Sequence, residues 1–138
     1  MLTKTLLRVL IPGAIALSQY GVAHAQSARV CVYFLEPEDG ATVTSPVHVK
    51  FGVDGMKVAP AGTMTEGTGH HHLIIDGGSV PKGTVVPADD THIHYGKGQT
   101  ETDVKLPPGD HTLTMQFADG AHRSYGPEMN STIKAHVK

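Results

Sequence analysis

Apolar and polar side chains alternate along most of this chain, and that period of two decides what it can fold into. Val30, Val32 and Phe34 share one face of their run. Val47, Val49, Phe51 and Val53 share a face of the next, with His48 and Lys50 on the other. Leu113, Met115 and Phe117 alternate with Thr112, Thr114 and Gln116, and Ile133, Ala135 and Val137 with Lys134, His136 and Lys138. Such alternation marks strands with one buried and one wet face. No segment after residue 26 sustains a helical period. Turn-forming stretches separate the runs: Glu36-Pro37-Glu38-Asp39-Gly40, the Gly/Pro/Thr loop from Asp54 to Gly69, Gly77-Gly78, and Leu106-Pro107-Pro108-Gly109-Asp110. The spacing predicts about seven strands, near 29–35, 46–53, 70–76, 92–95, 101–106, 111–118 and 131–137. The expected fold is all-β, an immunoglobulin-like β-sandwich, with a small open barrel as the alternative.

The first 25 residues follow a different pattern. Lys4 and Arg8 precede an apolar run from Val9 to Leu17, and Ala23-His24-Ala25 sets small residues at the positions a signal peptidase inspects. Residues 1–25 are expected to be a signal peptide cleaved before Gln26, leaving residues 26–138 as one domain, periplasmic or secreted. The apolar run is shorter than the ~20 residues a membrane span requires. Removing Lys4 and Arg8 from the 11 basic residues leaves nine against 13 acidic ones, a formal charge of −4. That balance argues against nucleic acid or an anionic membrane as partner. A single cysteine, Cys31, excludes an internal disulfide. Its apolar neighbours place it in a strand rather than at a lipid-attachment site.

Histidine is the residue type that points to chemistry. Nine of the ten lie beyond the leader, concentrated at His70-His71-His72 and His92-Ile93-His94, with His111 opening a strand and His122 in the loop after it. On a strand, His70 and His72 project to one face with Ile74 and Asp76. His71 projects to the other with Leu73 and Ile75, toward the core. Two His-X-His pairs on neighbouring strands bring four imidazoles together. Imidazole suits copper, zinc, nickel and iron(II), and Met56, Met64 and Met129 offer the softer donors that copper(I) accepts. The candidate ligands are His70, His72 and His94, then His92 and His111. The alternative role for His111 is a corner histidine bonded to backbone, and His48 and His136 read as solvated outward residues.

Enzyme signatures are absent. There is no Gly-X-Ser-X-Gly elbow, no His-Glu-X-X-His helix and no phosphate-binding glycine loop. Gly96-Lys97-Gly98-Gln99 lacks phosphate-loop spacing and reads as a tight loop that orients His94. A three-histidine catalytic zinc site with Asp76, Asp89 or Asp90 as base stays open as a variant.

Four segments together resemble a bacterial exported family, the domain of unknown function 4399. They are Val32-Tyr33-Phe34 with Pro37 and Gly40, Gly69-His70-His71-His72-Leu73-Ile74-Ile75-Asp76, His92 to Glu101, and Leu106-Pro107-Pro108-Gly109-Asp110-His111-Thr112-Leu113. The resemblance implies a compact domain of the cell envelope and no particular activity. Family members often carry a second histidine after the position of His122, where this chain has Tyr125. The stretch from Leu106 to Val137 also resembles the final hairpin of periplasmic copper-resistance β-sandwiches, a likeness at the level of fold. The functional expectation is a non-catalytic domain that binds a transition metal, copper before zinc. Its rival is a metal-free structural or protein-interaction module of the envelope.

Overall fold

Strands form wherever the alternation predicts them. The computed structural model describes residues 29–138. The leader and the cleavage point before Gln26 lie outside the described residues. Nine strands follow in order: β1 Cys31–Glu36, β2 Ala41–Val43, β3 Val47–Asp54, β4 Lys57–Val58, β5 Thr68–Ile75, β6 His92–His94, β7 Glu101–Val104, β8 Gly109–Ala118 and β9 Asn130–Val137. Seven of them are the expected ones. The two additions, β2 and β4, are the shortest parallel pairings, to β9 and β5, too brief to show a period in sequence. One 3-10 turn, Pro127–Met129, precedes β9.

These strands make two packed sheets, ordered β1-β3-β7 and β2-β9-β8-β5-β4, with β6 also pairing β5. Placing β3 and β7 opposite β5, β8 and β9 matches the immunoglobulin-like division of strands B and E from C, F and G. Between the sheets lie Val32, Val47, Val49, Phe51, Leu73, Leu113, Met115, Phe117, Ile133 and Val137. These are the apolar halves of the alternating runs. Fully burying one such side chain is worth about 1.5–3 kcal/mol.

The outer face of the larger sheet departs from expectation. Thr114 and Gln116, on the side predicted to be wet, are fully buried. The connection from Gly77 to Thr91 and the segment after β8 fold back over this face. There Ile74, Ala118, Val80 and Val86 form a second, smaller core. Gln116 ties the cover down: its amide oxygen accepts from Val80 N, and its Nε2 donates to the carbonyls of Gly126 and Met129. Every polar atom of that side chain is thereby satisfied, as a buried amide requires. Strand β5 is consequently covered on both faces.

Candidate metal centre

His70, His71 and His72 lie in β5, paired antiparallel with β8 on one side and β6 on the other. All three are buried. His71 turns into the main core as expected, its ring centroid 5.0 Å from Phe51 and 4.9 Å from Phe117. Neither of its ring nitrogens has a hydrogen-bond partner. Burial holds it neutral, down to about 4.

His70 and His72 turn outward, under the cover. The β5–β6 register sets His72 directly opposite His94. The fourth imidazole comes from His122, in the turn after β8. One ligating nitrogen from each of His70, His72, His94 and His122 lies within 4.8 Å of all the others. His70 Nε2 is 3.1 Å from His94 Nε2 and 3.2 Å from His122 Nδ1. A tetrahedron built on 2.0–2.1 Å metal–nitrogen bonds has edges of about 3.3 Å. The two shortest separations are close to such an edge, and the remaining ones stay within 4.8 Å.

The local sequence explains how the exposed His94 and the half-buried His122 are held. At Gly96 a Cβ would lie 2.2 Å from the His94 ring, so only glycine lets that ring settle against the backbone. Gly96-Lys97-Gly98-Gln99 is therefore the loop that orients His94, closed by Lys97 N donating to Gln99 Oε1. His122 stands in the left-handed region at φ 63°. Its turn is pinned by Asp119, whose Oδ1 accepts from Ala121 N and Arg123 N while Oδ2 accepts from Arg123 Nε. Gly120 sits against Thr63, where a Cβ would come within 2.2 Å of the carbonyl oxygen. The His122 carbonyl accepts from Val86 N, joining this turn to the cover.

No carboxylate hydrogen-bonds any of the four rings. Burial, reinforced by repulsion among the rings, pushes His70 down to about 4 and His72 to about 3. Burial and His122 lower His94 as well. Neutral imidazole is the form that binds metal. Nδ1 of His70 and Nδ1 of His72 are buried without partners.

The structure places the other two candidate ligands elsewhere. His92 shares the outer face of β6 with His94, but the antiparallel register sets it opposite Ile74, away from His70. Its Nδ1 contacts Asp89 at 2.7 Å, which first among several contacts holds the Asp89 carboxyl down to about 2. His111 is the corner histidine: Nδ1 lies 2.8 Å from Asp76 Oδ2 and Nε2 lies 2.8 Å from the Pro107 carbonyl. Both of its nitrogens face acceptors, and the Asp76 carboxylate first, then the Pro107 carbonyl, raises its pKa above the ordinary histidine value. His122, by contrast, joins the cluster although spacing alone did not single it out. The available signal was Asp119-Gly120, a tight-turn pair that returns the chain over β5.

The thioethers do not soften the site. Met129 is buried in the main core, Met56 packs against it and Met64 is exposed. Tyr125 stacks on Phe117 and donates to the Thr68 carbonyl at 2.6 Å. Cys31 is free and half-buried at the start of β1. Among the described residues no helix is long and apolar enough to cross a membrane.

Comparison with curated proteins returns no match. Among solved structures, the endo-beta-1,4-mannanase from Thermotoga petrophila is similar over 79% of this chain, at 17% identity and a TM-score of 0.47. This chain spans only 20% of that one, and the likeness carries no functional argument. The likeness of the last hairpin to copper-resistance sandwiches finds no support in these comparisons. Residues 49–138 match the domain of unknown function DUF4399, a span that contains all four clustered histidines. The chain belongs to that family.

Proposed function

We propose that this chain is an exported, non-catalytic domain that binds one transition-metal ion through His70, His72, His94 and His122 in the periplasm. The observation that carries the reading is the convergence of four imidazole nitrogens within 4.8 Å of one another, with no carboxylate bonded to the rings. Copper is the first choice and zinc the second. Divalent copper exceeds zinc in the affinity order for nitrogen sites, and an all-imidazole set without thioether or thiolate favours copper(II) over copper(I). The export assignment rests on the leader-like residues 1–25.

The rival reading, a metal-free envelope module, draws on the same contacts: 3.1 and 3.2 Å are also hydrogen-bond lengths between rings. Titration of the protein without a His tag, by calorimetry and by competition with a chelator of known affinity, separates the two. The metal reading expects one saturable site per chain, tighter than about 10 μM at neutral pH for copper(II) or zinc. Absence of such a site for either ion refutes it.

A further inference from the structure

The four histidines are not equally enclosed. His72, His94 and His122 line one cavity of about 330 Å³, whose remaining wall is Val85, Val86, Pro87 and Ala88. His70 lies behind them, with Nε2 between the nitrogens of His94 and His122. An ion held by the four rings therefore sits at the inner end of a cleft that opens to solvent. Along the opposite wall Val85, at 57% exposure, Pro87 and Ala88 are exposed, while Val86 is buried in the second core.

We infer that the cleft is a binding site for an external neutral donor ligand, an imidazole-class nitrogen base that completes the coordination of the bound metal while its carbon body packs on residues 85–88. This rests on the proposed metal site. Three of the four histidines line the cleft, so an ion they hold turns its solvent side toward it, and a further ligand approaches the ion from there. The cleft wall supplies no cation and no hydrogen-bonding side chain from residues 85–88, so it selects a neutral apolar body over a carboxylate of similar size. Its volume is at the lower end for small-molecule pockets, suited to a single ring.

The test uses tag-free protein loaded with one equivalent of copper(II), titrated with 4-methylimidazole and separately with acetate. Copper loading is measured first, so a protein that takes up no copper refutes the metal site itself before the cleft is probed. With copper bound, the inference expects a saturable change in the electron paramagnetic resonance and visible spectra with 4-methylimidazole, at a concentration at least tenfold below that needed for acetate. Ala88 is an exposed cleft residue outside the metal ligands. Ala88→Phe, which fills the cleft, is expected to weaken 4-methylimidazole at least tenfold and leave copper affinity within twofold of wild type. An unchanged spectrum, equal response in A88F, equal preference for acetate, or copper appearing in the filtrate as its 4-methylimidazole complex would each overturn the inference.

Discussion

Two sets of histidines occupy opposite chemical settings in this sandwich. Away from the cluster, His48, His92, His111 and His136 each hold an aspartate, with Nδ1 to carboxylate distances of 2.7–2.8 Å. Beneath the cover, His70, His72, His94 and His122 hold only one another. An adjacent carboxylate favours the charged ring, and burial without one favours the neutral ring. His48 and His111 are accordingly raised, each first by its aspartate, whereas His70, His72 and His94 are lowered. A sequence rich in histidine therefore contains two populations, and only the one stripped of carboxylates is poised to bind a cation.

The comparison breaks most readily at the ligands. Alanine at His70, His72, His94 or His122 is expected to lower copper or zinc affinity by on the order of 100-fold or more, since even supporting residues around metals are worth 10–100-fold. Alanine at His48 or His136 is expected to change it less than twofold. Chelator competition on the six variants measures both halves. Comparable losses in the two groups would erase the distinction.

The second expectation concerns stability without metal, where the two populations pull in opposite directions with pH. His70 and His72 remain neutral in the folded protein down to about 4 and 3. In the unfolded chain they take up protons below about 6.5. The unfolded state therefore binds more protons between these values, and folding stability falls as pH drops through 6.5. His111 is raised, so its contribution is complete below about 6.5 and is lost as pH rises through its folded value. Melting temperature against pH should show His72→Phe flattening the acid limb and His111→Ala flattening the alkaline one.

At fixed neutral pH the same two variants sharpen the contrast. His111→Ala removes the ring that bridges Asp76 and the Pro107 carbonyl, at a cost of about 2 kcal/mol. His72→Phe replaces an unpartnered polar ring by an apolar one of similar shape, and is expected to be neutral or stabilising in the metal-free protein while abolishing the gain in melting temperature on adding copper. A purely structural histidine network predicts the reverse for His72. The smallest effect is expected at Gly96→Ala: the added methyl displaces the His94 ring, reducing affinity by roughly tenfold with little change in metal-free melting, a magnitude typical of residues that only orient ligands.

Much of this was readable from the chain, and the omissions have identifiable causes. Period-two alternation and turn spacing located seven of the nine strands and the inward residues of the longer ones, because one face of each of those is buried. It correctly sent His71 inward and His70 and His72 outward. It left the outer face wet, because nothing in the alternation of Thr112, Thr114 and Gln116 announces that residues 77–91 fold back over it. His92 and His122 illustrate the other limit. Spacing groups His92 with His94, but pairing register decides which residue meets which, and the antiparallel alignment of His72 with His94 carries His92 away from His70. His122 arrives from 50 residues downstream of His72 through a turn whose left-handed residue is His122 itself. Turn geometry of that kind is a long-range event with only Asp119-Gly120 as its local trace.

The most direct test of the central claim is the position of the ion. Crystals of the tag-free protein grown with one equivalent of copper(II), and separately zinc, would be measured by anomalous diffraction at each metal edge. The account predicts one dominant peak per chain, about 2.0–2.1 Å from a nitrogen of each of His70, His72, His94 and His122. A dominant peak at an aspartate-paired histidine such as His92 or His111, or no peak at the four-histidine cluster with either metal, would contradict it.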